Sequence, residues 1–571
     1  MNYKLITGSL NDTDRLIETI LLNRGIQKPN EYLKLTKRYC ANYDDLDNIT
    51  EAVECFNKHF EQNDKIAILV DCDPDGYTSA AMIYMYIKKQ KIDYPVSYII
   101  HNNNKAHGLA KMNDGDFEIP IDTKLLILPD SSSNDRTEMN EIMSTGIDVI
   151  VLDHHEIESS DVACDAIIVN NQSSPRYANK AFSGAGIVYE FLKALDEVNW
   201  TDNADDYLDL VALAQISDIM DLSSFSTRYY VNRGLNRVTN PMLSALIEAQ
   251  EYSMNGKINP TTIAWFVVPI LNAMIRIGSY EERELLFRAF IGDYEEFDYK
   301  KRSGEIVKEN IYDRAARLCK NAKGRQDKMR DKLYENLITE VDLEDKVVII
   351  QADNADPGIV GLSAIRLSDN IKRPVVILRD IADDMLGGSI RNYDNSPIED
   401  LKELLNSTGL FKCQGHSNAA GAEIKKENLP LVKQLLNNQL KDIIYDDIYL
   451  CDFLLDAEEL DVQFVTDMDK YDWVWGTGVK EPYVAVTNIT VSRNDMQLQG
   501  KDLNSIAFVK NNIKYVAFKL DADNPLLEFM SEWGEPTDTI SFDAVVMCGI
   551  NVYQGIAQCQ CIIKDVTIQN D

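Results

Sequence analysis

The residues of this chain that could carry chemistry are acids and histidines at the ends of short apolar runs. They are Asp71, Asp73 and Asp75 after KIAILV, Asp130 after KLLILP, and Asp153, His154 and His155 at the end of DVIVL. Carboxylates on alternate positions repel one another, so a fold that gathers them needs a compensating positive charge. Carboxylate and imidazole donors suit Mn²⁺ or Mg²⁺, whereas zinc would call for thiolates or more histidines.

The elements that must position these side chains alternate between strand and helix. Apolar strands at 65–70, 124–129, 148–152 and 165–169 are separated by helical segments such as GAGIVYEFLKALDEV. This alternation predicts a parallel sheet covered on both faces, and ligands bind beyond the carboxyl ends of such strands. We therefore expect the acids to meet at one sheet edge. Asp218, at the end of a long apolar helix face, is a further candidate ligand.

Each motif alone has an ordinary explanation. A DxDxD sequence is typical of a solvated or calcium-type loop, a His-His pair of a surface or a core, and Asp218 of a helix C-terminus. The combination, with each acid at a strand end, favours a metal site.

The whole chain is predicted to be an α/β multidomain protein of 571 residues. Its first sheet is a Rossmann-like parallel one, and its last region consists of short alternating strands typical of a small barrel. The predicted units are an N-terminal helical segment (1–45), a catalytic domain (46–290), a charged connecting helix (291–340), a smaller α/β domain (341–445) and an OB-like barrel (446–571).

Composition restricts the function classes. The ten cysteines form no CxxC pair, which argues against a zinc or disulfide framework. No secretory leader and no continuous membrane-spanning run is expected, so we expect a cytoplasmic protein without a membrane partner. The net charge of −34 argues against nucleic acid, but a groove needs only local Lys and Arg, and bound metal adds positive charge.

Several of these motifs resemble a known family. VLDHHE is similar to the signature of the DHH phosphoesterases, and DCDPDG to their first motif. GIDVIVLDHHE, FSGAGIVYEFLKAL, VPILNAMIRIG and DPGIVGLSAIRLSDNIKRPVVIL resemble the RecJ single-stranded-DNA exonucleases. GGSIRN and QGHSNAAG resemble the associated DHHA1 domain, and GTGVKEPYVAV the start of the RecJ oligonucleotide-binding barrel. The resemblance covers nearly the whole chain. One departure is PDSSSND, where relatives place a glycine soon after the aspartate.

The resemblance implies a role for each acid and histidine. Two metal ions, Mn²⁺ or Mg²⁺, would lie between the motifs. The implied ligands are Asp73, Asp75, Asp130, His154 and Asp218, with Asp71 either a ligand or a close supporting acid. His155 would contact an ion or the scissile phosphate, and Asp153 would orient a histidine.

The resemblance also implies a substrate-binding surface. Arg276, Ser389 and Arg391 would bind the 5′ phosphate, and His416 would contact the nucleotide near the cut. The barrel would guide a single strand by stacking and basic contacts. Its candidates are Trp473, Trp475, Tyr483, Lys501 and Phe508, although an aromatic in a barrel is more often part of the core.

The implied function is a metal-dependent 5′→3′ exonuclease on single-stranded DNA, acting in DNA repair and recombination. The expected protein is a monomer with single-stranded DNA as partner, and a single-strand-binding protein and a helicase are candidate protein partners. One alternative is a DHH hydrolase of short oligonucleotides or cyclic dinucleotides, which would lack the connecting helix and the barrel. The other is a nuclease-inactive replication scaffold, which would have lost several of the ligands that this chain retains.

Overall fold

The N-terminal segment joins the last domain instead of standing alone. A computed structural model describes the chain at residues 2–6, 13–104, 106–110, 112–301, 303–445, 448–553 and 555–569. The segment contains β1 (Asn2–Leu5), α1 (Leu16–Asn23) and α2 (Pro29–Tyr32). Strand β1 pairs in parallel with residues 448–451 of the last domain. The prediction of a purely helical segment over 1–45 is therefore wrong at its start, because the pairing partner lies far along the chain.

The first large domain is built on a parallel sheet, as predicted, which has five strands instead of the four expected. Its strands are β2 (Lys65–Val70), β3 (Val96–Ile100), β4 (Thr123–Pro129), β5 (Asp148–Asp153) and β6 (Ile167–Asn170), in the order β3-β2-β4-β5-β6. The central strands are apolar along their length because helices cover both faces. Strands β2, β4 and β5 are neighbours, so their carboxyl ends lie side by side.

Helices enclose this sheet and extend the domain beyond it. They are α3 (Ile49–Gln62), α4 (Pro74–Gln90), α5 (Arg136–Met143), α6 (Gly184–Asn199), α7 (Leu208–Ser217), α8 (Phe225–Leu235), α9 (Pro241–Gln250), α10 (Pro260–Thr262), α11 (Val268–Ile277) and α12 (Tyr280–Phe290). Their apolar faces and one face of the sheet form a single large core. A one-turn π-helix (Ile263–Val267) joins α10 to α11.

One helical run is apolar enough to be compared with a membrane span. Residues Pro260–Ile277 have a mean hydropathy of 1.4 over 18 residues. Half of this run is buried, and α11 packs against α13 (Ile311–Leu337) in the domain core. These properties are those of a core helix.

The connection between the two α/β domains is not helical throughout. The chain first forms the antiparallel hairpin β7 (Glu296–Lys300) and β8 (Ile306–Asn310), and only then α13. The expected helix over 291–340 is therefore wrong before Ile311. Exposed residues alternate with half-buried ones along β7 and with half-buried or buried ones along β8 up to Glu309, and the charged composition hides this two-residue period.

The smaller α/β domain has a mixed sheet in the order β12-β13-β11-β10-β9. Its elements are β9 (Val348–Gln351), α14 (Pro357–Ile371), β10 (Val375–Ala382), β11 (Met385–Arg391), α15 (Leu401–Ser407), β12 (Phe411–His416), β13 (Ala419–Lys425) and α16 (Leu429–Gln439). Strand β11 lies in the middle of the sheet, and β12 is an edge strand.

The last domain is a seven-stranded OB-like sheet in the order β15-β16-β20-β21-β19-β18-β17. Its elements are β14 (Ile448–Cys451), β15 (Phe453–Asp456), α17 (Val462–Asp469), β16 (Val484–Ser492), β17 (Gln497–Gln499), β18 (Ser505–Lys510), β19 (Ile513–Ala517), α18 (Pro525–Ser531), β20 (Thr539–Tyr553) and β21 (Ile556–Ile568). Residues of α1 and α2 pack into its core. The expected α/β architecture with a terminal barrel is confirmed.

Candidate metal centre and phosphate site

The predicted acids meet at the carboxyl edge of the first sheet. Asp71 directly follows β2, Asp130 directly follows β4, and Asp153 ends β5. Asp73 is the N-cap of α4, and its carboxylate accepts a hydrogen bond of 2.9 Å from the Gly76 amide. Each strand thus delivers its acid to the same place, as expected of a parallel sheet.

Three carboxylate oxygens converge around one imidazole nitrogen. His154 Nε2 lies 3.2 Å from Asp130 Oδ1, 3.4 Å from Asp218 Oδ2 and 3.8 Å from Asp75 Oδ2. Atoms of Asp71, Asp73 and Asp130 form an adjoining group with mutual distances within 4.8 Å. Asp130 belongs to both groups, so it lies where a bridging ligand would be needed.

Three of these converging atoms are buried and lack a hydrogen-bond partner within the described chain. They are Asp130 Oδ1, His154 Nε2 and Asp218 Oδ2. Buried polar atoms almost always have a hydrogen-bond partner. A group of ligand atoms that lack one and point to the same place is therefore what a cation site requires. The donor set is rich in oxygen with one imidazole nitrogen, which suits Mn²⁺ or Mg²⁺.

The protonation equilibria reflect how many carboxylates are buried together. Burial, together with the nearby carboxylates, raises the pKa of Asp130 well above its usual range. Burial and the charges of Asp75 and Asp73 raise the pKa of Asp218 to about 8. Burial and then the neighbouring His155 lower the pKa of His154, which favours the neutral imidazole that ligates metals.

Asp75 is oriented by the N-terminus of α6. Its carboxylate accepts from the Gly184 and Ala185 amides, both at 2.8 Å, and from the Ser183 hydroxyl at 3.1 Å. A side chain at position 184 would lie 2.4 Å from Asp130 Oδ1, so only glycine fits there. The FSGAG sequence carries no signal for this cradle of Asp75, because two of its three donors are backbone amides.

Asp71 has both carboxylate oxygens occupied by protein donors. Oδ2 lies 2.7 Å from His107 Nδ1, and Oδ1 accepts from the Gly108 amide at 2.9 Å. Burial acts in the opposite direction, but the charge of His107 holds the pKa of Asp71 below its usual range. This arrangement favours the supporting role for Asp71. Sequence reasoning missed His107, which lies in a loop without a recognisable motif.

Asp153 and His155 form a second pair of this kind. Asp153 Oδ1 lies 2.7 Å from His155 Nδ1 and also accepts from the His154 amide at 2.7 Å. Burial disfavours the imidazolium, but the hydrogen bond and charge of Asp153 outweigh it and raise the pKa of His155 to about 10. The His155 side chain is 53% exposed, so this cation faces the cleft beside the acids.

The loop after Asp130 keeps a left-handed backbone without a glycine. Asp130 has φ 61° and Ser132 has φ 76°. Glycine is the residue that adopts this region at least cost. The serine in PDSSSND therefore changes the residue type and leaves the turn in place.

The predicted phosphate-binding residues come from two domains. Arg276 lies at the end of α11, whereas Ser389 and Arg391 lie on β11. Burial and the charge of Arg276 lower the pKa of Arg391 to about 10, as expected for two adjacent cations. Within the described residues neither guanidinium forms an ion pair with a carboxylate. Arg276 also lines a cavity of about 310 Å³ with Asn103, Asn104, Arg325 and the start of α14.

His416 ends β12 and faces the first domain. Burial, followed by the charge of His155, lowers the pKa of His416, which places it near the metal-site histidines. Strand β12 also reaches the first domain through Gln414, whose amide lies 3.5 Å from Glu158 Oε1. The structure thus brings residues of both α/β domains to one cleft.

A second cluster of ligand types, at the opposite edge of the sheet, is already satisfied. His59 lies 2.8 Å from Asp64 and 2.9 Å from Asp148 through its two ring nitrogens, and Lys58 also contacts Asp148 at 2.9 Å. Cys55 is close by. With these polar groups paired, the cluster has the character of an ion-pair network.

Two of the aromatic candidates for a single-strand track are core residues. Trp475 and Phe508 are buried in the barrel, and Phe508 stacks on Tyr515 with ring centroids 5.0 Å apart. Those two expectations are wrong: Phe508 lies on the inward face of β18, and Trp475, outside the strands, packs into the same core. Trp473 and Tyr483 are half-buried, and Lys501 is exposed.

Comparison with known proteins places this architecture in a class. Residues 65–215 match the DHH family N-terminal domain, 344–442 the DHHA1 domain and 451–565 the RecJ OB domain. The chain belongs to the RecJ-like family of DHH proteins.

Its relatives span it almost entirely. The chain is 35% identical over 567 residues to YorK of Bacillus subtilis (strain 168), which carries the name of an SPbeta prophage-derived single-strand DNA-specific exonuclease. That match covers 97% of this chain and 96% of YorK. RecJ of the same organism, named as a single-stranded-DNA-specific exonuclease, is 24% identical over 99% of this chain and 69% of RecJ.

A solved structure supports the fold. The crystal structure of RecJ from Thermus thermophilus in complex with Mn²⁺ superposes with a TM-score of 0.73 at 18% identity. It covers all of this chain and 79% of that one. The expected family and multidomain architecture are confirmed.

Proposed function

We propose that the protein is a metal-dependent 5′→3′ exonuclease that hydrolyses the phosphodiester bonds of single-stranded DNA. The observation that carries this proposal is the convergence of orphaned ligand atoms from Asp130, His154 and Asp218. Beside them lie Arg276 and Arg391, two adjacent cations without a carboxylate partner among the described residues. The names of YorK and RecJ give the reaction class and the substrate.

Each site residue has a proposed role. Two Mn²⁺ or Mg²⁺ ions held by the acids and His154 would activate a water molecule and stabilise the leaving oxygen. Asp75 is held towards the centre by the amides of α6, so its geometry is set before anything binds. Asp71 orients the loop that carries His107 and Gly108. His155, held as a cation by Asp153, would donate a hydrogen bond to the scissile phosphate.

The direction of digestion would come from the arginine pair. A terminal phosphate carries more charge than an internal one, and two adjacent guanidiniums would bind it preferentially. Arg391 is packed so tightly that a methyl group on Gly361 would lie 2.6 Å from its Nη2. Ser389, two residues before Arg391 on the same strand, would add a hydroxyl donor. His416 would contact the terminal nucleotide from the edge strand.

We also propose a role for this activity in the cell. An exonuclease on single strands would act in DNA repair or recombination in the cytoplasm. We propose a monomer, and a single-strand-binding protein or a helicase as candidate partners. The support for this extension is the family membership alone.

The test is a digestion assay with Mn²⁺ and a 5′-phosphorylated oligonucleotide labelled at its 3′ end. We expect stepwise shortening of the single strand, no shortening of a blunt duplex, and loss of activity in Asp73→Ala. Asp148→Asn is the matched control, because Asp148 lies at the opposite end of β5 from the proposed centre. Digestion from the 3′ end would refute the proposed direction.

Two further results would replace the proposal. Cleavage restricted to dinucleotides would assign the protein to the hydrolases of short oligonucleotides. Binding of Mn²⁺ and single-stranded DNA without hydrolysis would favour the scaffold alternative.

A further inference from the structure

The turn that follows Asp218 is built in an unusual way. Helix α7 ends at Ser217, Asp218 is its C-cap, and Ile219 adopts the left-handed conformation with φ 56°. The Met220 amide donates to the Gln215 carbonyl at 2.9 Å, and the Ile219 amide to the Ile216 carbonyl at 3.3 Å. These two bonds define a Schellman motif, in which glycine is the usual residue at the left-handed position.

Ile219 is poorly suited to that position. A β-branched residue at positive φ is a genuine backbone outlier, because its Cβ crowds the following carbonyl. Its side chain is 64% exposed, so packing around it does not compensate. Such strain persists only when the surrounding structure over-determines the conformation. Something other than the local sequence must therefore hold the turn next to a proposed metal ligand.

The OB-like domain supplies that restraint. Its residues 473–479, here called the docking segment, lie against residues 221–223. The Leu222 amide donates to the Thr477 carbonyl at 2.9 Å. A methyl group added to Gly478 would lie 1.8 Å from Asp221 Oδ1, and this carboxylate is itself held by the Ser223 amide and hydroxyl.

A buried arginine links the docking segment to the backbone of Leu222. Arg228 is completely buried and has no ion pair within the described chain. It donates to the Val474 carbonyl of the docking segment at 2.6 Å, and to the Tyr32 hydroxyl at 2.7 Å. Tyr32 in turn donates to the Leu222 carbonyl at 2.6 Å. Three parts of the chain, α2, α8 and the barrel, thus hold the backbone of Leu222, four residues after Asp218.

We propose that the docking segment of the barrel positions Asp218 for metal binding by holding residues 219–222 in their strained conformation. The barrel would then act on the metal centre as well as on the strand. Leu222, Arg228 and Gly478 are positioning residues in this scheme, since they act through Asp218. The inference rests on the proposed role of Asp218 as a ligand.

The experiment measures Mn²⁺ affinity by titration calorimetry on the full chain, with no need for nuclease activity. In Gly478→Ala the new methyl group would push the docking segment away from Asp221, and we expect affinity to fall about tenfold, as for lost supporting contacts in metal sites. Gly555→Ala is the matched control. It has nearly the same φ, 78° against 77°, but no heavy atom of the described chain lies within 4 Å of its added methyl group.

A second variant tests the strain itself. Ile219→Gly alone should bind Mn²⁺ as the wild type does, because glycine adopts the left-handed conformation at no cost. Combined with Gly478→Ala, it should restore most of the lost affinity, since the turn would no longer need the barrel.

The outcomes separate the two ideas. Wild-type affinity in Gly478→Ala, an equal loss in Gly555→Ala, or a double variant as weak as Gly478→Ala would each overturn the inference. Unchanged affinity in Asp218→Ala would instead overturn the assignment of Asp218 as a ligand.

Discussion

Replacing Asp218 by asparagine should stabilise the protein while removing its function. Without metal, burial and the carboxylates of Asp75 and Asp73 raise the pKa of Asp218 from 3.8 to about 8. An acid whose pKa is raised on folding destabilises the folded state as pH rises from the unfolded pKa to the folded one. An asparagine side chain carries no charge and so avoids this cost.

The magnitude follows from the pH window. From the unfolded pKa of 3.8 to pH 7 there are about 3.2 pH units, which at 1.36 kcal/mol each gives a cost of about 4 kcal/mol. Asp73 and Asp130 can take up a proton instead of Asp218, which relieves part of this cost. We therefore expect Asp218→Asn to raise the free energy of unfolding by about 2 to 4 kcal/mol at pH 7. At pH 5 only about 1.2 pH units have been crossed, so the gain should fall below about 2 kcal/mol.

The assay is urea unfolding in EDTA at pH 5, 6, 7 and 8, followed by a signal from the first domain. Asp209→Asn is the matched control on the same helix. Asp209 is also buried, but it accepts 2.6 Å hydrogen bonds from the Thr239 and Asn240 amides. We expect that variant to gain much less stability than Asp218→Asn. Oδ2 of Asp209 accepts from the Thr239 and Asn240 amides and Oδ1 from the Leu210 amide, so an asparagine would turn one accepting oxygen towards a donor as an NH2 group.

With Mn²⁺ the order should reverse. The wild type should gain stability by mass action and Asp218→Asn should gain little. An asparagine variant that is less stable than the wild type in EDTA, with a difference independent of pH, would refute the account of the site as an uncompensated cluster of carboxylates.

Three further predictions test other parts of the molecule. Gly184→Ala should reduce Mn²⁺ affinity in calorimetry, because its methyl group would displace Asp130. Gly324→Ala in α13 is the control, since its methyl group meets nothing within 4 Å of the described chain. That control should raise the free energy of unfolding in urea by up to about 1 kcal/mol. Arg391→Gln should lower kcat/KM on 5′-phosphorylated DNA more than on 5′-hydroxyl DNA, and an equal loss on both would contradict a phosphate pocket. Arg228→Met should cost about 2 to 4 kcal/mol, because it leaves buried carbonyls and a hydroxyl unpaired, and wild-type stability would contradict the contacts described.

The metal centre could be placed from sequence because the topology does the positioning. In a parallel sheet, residues that directly follow neighbouring strands must lie together, whatever their separation along the chain. Asp71, Asp130 and Asp153 each occupy that position, so recognising three strands was enough. Asp218 comes from a helix, and its place in the cluster depended on resemblance rather than on the sheet.

The parts that escaped prediction are those set by long-range packing. Strand β1 pairs with β14, near the other end of the chain, and four residues give no signal strong enough to identify it. The cradle for Asp75 consists of two backbone amides, which every sequence has, and one serine hydroxyl. His107 is a single histidine in a loop. Trp475 and Phe508 are aromatic residues of the kind that bind single strands, but the packing of the OB-like core buries both.

The net charge of −34 does not exclude an anionic substrate, because the cations of this protein differ in whether they are paired with carboxylates. Much of the positive charge on α13 is neutralised within the protein, through the pairs Arg317–Glu309, Lys323–Asp327, Arg325–Glu282 and Arg330–Asp327. That pairing is what a structural connecting helix requires, and it engages half of the eight Lys and Arg side chains of α13.

Arg276 and Arg391 differ from these cations, because no carboxylate forms an ion pair with either in the described chain. In the proposed function the two guanidiniums bind the phosphate, and the neighbouring acids bind the metal ions. A single strand would then be held mainly at its 5′ end and at the metal ions, with few other phosphate contacts. Binding should therefore depend only weakly on salt, since the slope of affinity against salt follows the number of phosphates neutralised.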